Sequence, residues 1–375
     1  MRIRSNVKIS RLGVTGDEFF INRHVGLVDG LRDNLPIVDL IPTGTHFRTT
    51  LRGRMRSAVI QLLYRRRGDG GRWLTLLLKT PDAFTNLSIE AESIVRAQPQ
   101  IPDHILHLHA MYAPFTPGSS PLIPYSLITD YTGAQCRNWP LWLPPDERVR
   151  SEWLDCQRIA YENATNIFTF SKVVRQSIVE DYGISPEKVY AVGSAGNICS
   201  LFDGEKQFGT KKLLVNASDW TRKGGDVALD AFRIVRARIP HARLMVIGCA
   251  TRDPEPGVVY LGTVTRAEMD SLFAEADLVL SPSRCDPFPA FVLEGMNFGV
   301  PAIVSDRDGM PEMIGYDTCG LTVPLSADAF ASAMLNLLSD DAELRRKSDA
   351  ARRQIRNKYN WPHISYTIAE ILQQT

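Results

Sequence analysis

The sequence predicts an α/β protein of two domains, each built on a mostly parallel sheet. Three observations carry this. Short apolar runs alternate with helix-periodic segments along most of the chain. A polar stretch, Phe202–Lys212, interrupts the alternation, which then restarts. The length, 375 residues, exceeds what one ordinary core holds.

In the first half, Val7–Leu12 reads as a strand, with Gly13-Val14-Thr15-Gly16 as the loop after it. Phe19–Leu31 has helical periodicity, and Pro36–Ile41 returns to strand. The glycine spacing is not the dinucleotide fingerprint, and an acid for a ribose stands only ambiguously at Asp39. Gly13 and Gly16 make either a tight turn or a close backbone approach to a ligand phosphate. A basic stretch follows, Arg48, Arg52, Arg54, Arg56, Arg65, Arg66, Arg67 and Arg72 against Asp69, with apolar Ser57–Tyr64 inside it. It reads as a solvated face over a buried stripe, or as a surface for an anionic membrane or acceptor. Trp73–Leu78 reads as a strand, Ser88–Ala97 as a helix and His104–His109 as a strand. The histidines there lack metal-ligand spacing, and one of them is expected to line a pocket. Tyr125–Thr129 is a strand ending at Asp130, which either caps a turn or faces a crevice. Glu152–Ala164, Asn166–Thr169, Lys172–Tyr182 and Val189–Val192 continue the alternation.

After the linker, Leu213–Asn216 is a strand, Asp219–Gly225 a loop and Val227–Ile239 a helix. Leu244–Ile247 ends at Gly248, and Val258–Leu261 at Gly262. Glu268–Ala274 is a helix, Asp277–Leu280 a buried strand, Ala290–Phe298 a helix capped by Gly299, and Ala302–Ser305 a strand. Glu312 begins a further helix. Ala327–Leu338, Asp341–Tyr359 and the amphipathic Trp361–Gln373 complete the chain.

Composition excludes several classes. A 44% hydrophobic and 23% charged chain is globular, and a net charge of +1 favours neither nucleic acid nor a membrane in bulk. The six cysteines are scattered without a C-x-x-C pair, so free thiols are expected rather than a disulfide framework or a zinc cluster. The basic N-terminus has no apolar core of a secretory signal, and no apolar run approaches the ~20 residues of a membrane span. A cytoplasmic protein is the expectation.

Two constellations carry chemistry. Arg222-Lys223-Gly224-Gly225 places two cations and two glycines between a strand end and a helix N-terminus. That suits a diphosphate, or else is a pair of surface cations. Asp286 in a proline-bounded loop and Glu294 inside an apolar helix form the second. Glu294 is poorly placed as a solvated charge and well placed to accept hydrogen bonds from hydroxyls. With Glu312, three carboxylates converge on strand C-termini, where open α/β sheets bind ligands.

Asp286-x7-Glu294, the preceding Ser281-Pro282-Ser283 and the following Gly299-x-Pro301, Asp306-x-x-Gly309 and Glu312 resemble the signature of the retaining GT-B glycosyltransferases. Within these the chain resembles family four, the "glycosyl transferases group 1", with further matches from Phe168 to the C-terminus. The resemblance implies two Rossmann-like domains facing across a cleft, with a C-terminal helix crossing back to the N-terminal one. The implied bounds are 1–203 with 361–375 for the acceptor side and 204–360 for the nucleotide-sugar side. It implies retaining, metal-independent transfer of a sugar from a nucleotide-diphosphate donor to a hydroxyl of a glycan, glycolipid or small molecule, in polysaccharide assembly, without a cofactor. Glu294 would hold the ribose. Asp286, one methylene shorter than the family's first glutamate, would meet the donor sugar with the backbone of Pro287, Phe288, Pro289 and Ala290. Arg222 and Lys223 would neutralise the diphosphate, and Gly16 and Gly248 would border it. Asp130 falls where many relatives have a histidine near the reacting carbon. The family's usual arginine before the lysine is replaced near Ser218, and Arg222 substitutes for it. Two other functions fit the same architecture: a sugar-nucleotide epimerase or phosphorylase, and a non-catalytic nucleotide-sugar-binding scaffold. Peripheral contact with the inner membrane face through Arg48–Arg72 is the remaining partner expectation.

Overall fold

A computed structural model describes residues 8–65, 72–117 and 123–374. The chain forms two compact units, Met1–Gly193 with Ile364–Thr375, and Ser194–His363.

The first unit contains β1 (Arg11–Gly16), α1 (Glu18–Arg23), α2 (Val25–Asn34), β2 (Ile37–Pro42), α3 (His46–Thr49), α4 (Leu51–Arg65), α5 (Arg72–Leu78) and α6 (Pro81–Arg96). It continues with β3 (His104–Leu108), β4 (Tyr125–Thr129), α7 (Glu147–Asn163), β5 (Ile167–Thr169), α8 (Lys172–Glu180) and β6 (Val189–Ala191). Its six strands lie in the order β2-β1-β3-β4-β5-β6, all parallel. Ile105, Leu127 and Ile167 from the sheet share a buried core with Phe84 and Leu87 of α6 and Trp153 and Tyr161 of α7. Helix starts follow side-chain capping: Thr80, Asp146 and Ser171 each accept a backbone N–H of the first turn.

The second unit contains β7 (Lys212–Asn216), α9 (Gly225–Arg238), β8 (Arg243–Ile247), β9 (Val258–Gly262), α10 (Arg266–Glu275), β10 (Leu278–Ser281) and α11 (Ala290–Asn297). β11 (Ala302–Ser305), α12 (Met310–Met313), β12 (Gly320–Val323), α13 (Ala327–Ser339), α14 (Asp341–Asn357) and α15 (Trp361–Gln373) follow. The parallel order is β12-β11-β10-β7-β8-β9. Chain direction across the sheet reverses at β7, between β10 and β8, the doubly wound Rossmann arrangement. Phe232 of α9 and Phe330 and Met334 of α13 share a core with β7, β8 and β10. α11 lies close to β10 because Gly295 has no Cβ, which would sit 2.8 Å from Val279 Cγ2.

Several predicted elements shift. The chain enters the second unit at Ser194, ten residues before the predicted boundary, because the expected linker is bound in. Phe202 stacks on Phe298 at 4.4 Å, and Lys206 Nζ donates to the carbonyls of Phe273, Ala274 and Ala276. At the other end, Ile364 onward belongs to the first unit, where Gln373 exchanges two hydrogen bonds with the backbone of Ile9. Gly13 is inside β1 rather than in a loop. A Cβ there would lie 2.8 Å from Ile105 Cδ1, so its smallness serves sheet packing. The predicted first helix breaks at His24 into α1 and α2. Residues predicted as a strand at Trp73–Leu78 form α5, since an apolar run this short carries no period that separates strand from buried helix. β12 went unpredicted. Val7 and the Arg66–Asp69 part of the basic stretch lie outside the described residues.

Four histidines of the first unit are buried, His24, His104, His107 and His109, and the first three bond to neighbours in the same unit. His104 Nε2 pairs with Ser126 Oγ at 2.9 Å, His107 Nδ1 with Thr15 Oγ1 at 2.8 Å, and His24 Nδ1 with the Phe20 carbonyl at 2.7 Å. Burial pushes His104 and His24 down to about 4 and His107 to about 3, with His109 adding to the effect on the last two. From the ordinary value of 6.5 down to these pKa values, the unfolded chain binds protons that the fold excludes. Their contribution to stability is therefore lost as pH falls through that window, at up to about 1.4 kcal/mol per pH unit per histidine. Denaturant titrations from pH 6.5 to 4.5 should show falling stability, with a shallower slope in His104→Gln. Equal slopes would contradict the assignment.

Candidate active site

The loop after β7 and the loop after β10 meet at the point where the second sheet reverses. Gly224 adopts a left-handed conformation, φ 69°, and caps α9. A Cβ there would lie 1.9 Å from the Pro282 carbonyl oxygen, so only glycine lets the loops approach this closely. Gly225 is packed under the Trp220 ring, 2.5 Å from where its own Cβ would be. Arg284 N–H donates to the Arg222 carbonyl at 2.7 Å, and the Arg284 guanidinium forks onto Asp226 at 2.8 and 2.6 Å. Hydrogen bonds and charge from Arg284 hold the Asp226 carboxyl below its ordinary range.

This stitching aims two cations at one carboxylate. Lys223 Nζ donates to Asp286 Oδ2 at 2.7 Å, and Arg222 Nη1 lies 3.7 Å from the same oxygen. Arg222 also donates to the Cys285 carbonyl at 2.8 Å and to Asp219 at 3.0 Å. Arg222, Lys223 and Asp286 side chains are largely buried, at 14, 14 and 12% exposure. The loop after β11 supplies a third support. Asp308, at φ 48°, accepts the Asp286 N–H at 2.9 Å, and Gly309 N–H donates to the Pro287 carbonyl at 3.2 Å.

Beyond Asp286, Phe288 packs edge-on against Tyr359 at 5.5 Å, and extended Pro289 leads into α11, whose N-terminus has no side-chain cap. Ala290 abuts Gly196, where a Cβ would be 2.8 Å from its own. One turn into the helix, buried Glu294 accepts from Asn197 Nδ2 at 2.8 Å and from Arg266 Nη1 at 3.3 Å. Glu312 is also buried, with Lys358 Nζ 3.9 Å away. Gly248 ends β8 at φ 81° against Ser218, where a Cβ would come within 2.8 Å of Ser218 Cβ.

Thus Arg222, Lys223, Asp286 and Pro287 form one cluster, and Glu294 sits in a second polar group on the adjoining helix. Gly16 and Asp130 belong to the first unit. Gly16 ends β1 beside β3, where a Cβ would be 3.0 Å from Leu108 Cβ. Asp130 faces His109 Nδ1 at 3.2 Å. Burial raises the Asp130 carboxyl, but the charge and hydrogen bond of His109 outweigh it and leave the pKa below the ordinary value. His109 itself is at φ 67° and stacks on Phe20 with 3.6 Å between ring centres.

Sequence reasoning missed four of these contributors. Asn197, Arg266 and Asp308 hold the predicted carboxylates but belong to no spacing that singles them out. His109 was legible only as one of three strand histidines. Among the described residues, no group of three His, Cys, Asp or Glu side chains is placed to hold a metal ion. Chemically, the second unit offers paired cations, a fixed carboxylate and an uncapped helix start at one switch point. This is a place for an anionic ligand carrying hydroxyls.

Residues 210–340 match the family model described as "Glycosyl transferases group 1". The chain is 23% identical over 236 residues to the MMP alpha-(1->4)-mannosyltransferase of Mycolicibacterium hassiacum, covering 60% of this chain and 57% of that protein. It is 22% identical over 257 residues to the mannosylfructose-phosphate synthase of Agrobacterium fabrum, covering 60% and 56%. The chain thus spans little more than half the length of these curated relatives. Sucrose-phosphate synthase from Thermosynechococcus elongatus shares the fold, with a TM-score of 0.65 at 13% identity over 97% of this chain and 98% of that one. The paired parallel sheets and this structural likeness give the chain a GT-B fold, and within it residues 210–340 match the group 1 glycosyltransferases.

Proposed function

We propose that the protein transfers a glycosyl group from a nucleoside diphosphate sugar to an acceptor hydroxyl, with retention of anomeric configuration. The observation that carries this reading is the Lys223–Asp286–Arg222 cluster at the reversal point of the second sheet. The nucleoside diphosphate departs with the bonding electrons of the sugar C1–O bond, the acceptor oxygen bonds to C1 on the same face, and its proton passes to the departing phosphate oxygen. Lys223 and Arg222 stabilise the charge that develops on that leaving group, using cations already fixed before reaction. No metal, cofactor or covalent nucleophile is invoked.

Asp286 is assigned to the donor sugar, beside the backbone of Pro287, Phe288, Pro289 and Ala290. Three loops hold it, so its shorter reach comes with a fixed position. Glu294 is assigned to the ribose hydroxyls. Its Asn197 bond is the short one, and the 3.3 Å contact with half-exposed Arg266 is the one a ribose could displace. Gly248 borders the diphosphate. In the first unit, Gly16 and Asp130 are assigned to the diphosphate and the reacting carbon, with His109 positioning Asp130. Because two relatives are a mannosyltransferase and a mannosylfructose-phosphate synthase, mannosyl donors are the first to screen, with glycan, lipid-linked and small hydroxyl acceptors.

Two substitutions test the assignments. Lys223→Ala should lower turnover by about 10²–10³-fold in a product assay, as loss of one preorganised charge donor does; a wild-type rate would remove the diphosphate role. Glu294→Gln should weaken nucleoside diphosphate binding by about tenfold or more in calorimetry, the cost of a charge-assisted bond becoming a neutral one. Unchanged affinity would contradict the ribose assignment.

A further inference from the structure

α4 shows a surface that the transfer reading does not use. Leu51, Met55, Val59 and Leu62 recur at helical spacing and are 75, 62, 56 and 64% exposed, with Leu63 beside them. The opposite side of the helix faces the protein. There Gly53 is buried, Ile60 packs on the core, and Arg56 donates to Thr80 and lies over Phe47. The exposed stripe is thus a second apolar face, turned away from the core.

Its borders are cationic. Arg52 and Arg54 are exposed on either flank, and Leu51–Arg65 contains no acidic residue. The apolar character continues off the helix. A cavity of about 590 Å³ lies against Ser57 and Gln61, with Phe19, Phe47, Leu77 and Trp142 in its lining. Phe19 is itself 56% exposed.

We propose that α4 is a membrane-docking helix that lies on an anionic lipid surface, its leucine-rich stripe among acyl chains and Arg52 and Arg54 on headgroup phosphates. Charge complementarity selects this occupant. An apolar stripe edged by arginines and free of carboxylates fits an interface that is apolar below and negative above. A second copy of the chain would instead oppose arginines to arginines. Among the described residues no helix is long and apolar enough to cross a membrane, so the contact is peripheral. An acceptor held in the lipid would meet the enzyme there; that consequence rests on the transfer reading, whereas the docking does not.

The test is co-sedimentation of the full chain with vesicles. Wild type should bind phosphatidylcholine vesicles containing phosphatidylglycerol and bind pure phosphatidylcholine at least about tenfold less. Met55→Glu/Leu62→Glu and, separately, Arg52→Glu/Arg54→Glu should each lower binding by about tenfold or more. Both should keep the wild-type melting temperature and nucleoside diphosphate affinity. Absence of wild-type binding to anionic vesicles would overturn the proposal. So would binding that survives both double substitutions, or a dimer in light scattering that Met55→Glu/Leu62→Glu dissolves while vesicle binding persists. Failure of transfer activity alone would leave vesicle binding intact and count against the transfer reading only.

Discussion

The candidate site of the second unit depends on how closely two loops approach. Gly224 is pressed against the Pro282 carbonyl at a distance no side chain permits. That contact puts the loop after β7 under the loop after β10, and Lys223 then reaches Asp286. Parallel order does the rest, because β7 and β10 are neighbours although a large part of the unit's chain separates them. Cations from one strand end and a carboxylate from the other share a single place.

Such a cluster is an odd choice for stability alone. Lys223, Arg222 and Asp286 are largely out of water, and the desolvation of partly buried charges offsets much of their attraction. Structural support for the carboxylate is nonetheless dense. Asp308 takes its backbone N–H, Gly309 fixes Pro287, and Arg284, two residues before Asp286, forks onto Asp226. Side chains held this firmly in a charged arrangement are preorganised for a ligand that brings its own negative charge. Glu294 follows the same logic one helix turn on, with Asn197 and Arg266 supplying the hydrogen bonds that orient a buried carboxylate.

Much of this was legible in the chain itself. Alternating apolar runs and helical periods located most strands and helices, because the central strands are buried on both faces and most helices on one. Arg222-Lys223-Gly224-Gly225 and Asp286-x7-Glu294 stood out through residue type at element ends. Failures had physical causes. A short apolar run such as Trp73–Leu78 has no measurable period, and Gly13 looked like a turn because its reason, Ile105, is distant in sequence. Partners of the carboxylates were invisible for the same reason. Asn197 lies 97 residues from Glu294, and Arg266 lies on a different element. The ten-residue shift in the unit boundary shows that a polar composition does not make a free linker when Lys206 and Phe202 are anchored.

On the proposed reading, the reversal point of the second sheet holds a nucleoside diphosphate sugar. Calorimetric titration of the full chain with uridine, guanosine and adenosine diphosphate sugars tests it most directly. Saturable binding of one sugar-nucleotide per chain is expected, competed by the matching nucleoside diphosphate and not by the free sugar. Absence of binding to any of them, or binding that inorganic sulfate displaces as well as the nucleoside diphosphate does, would contradict it.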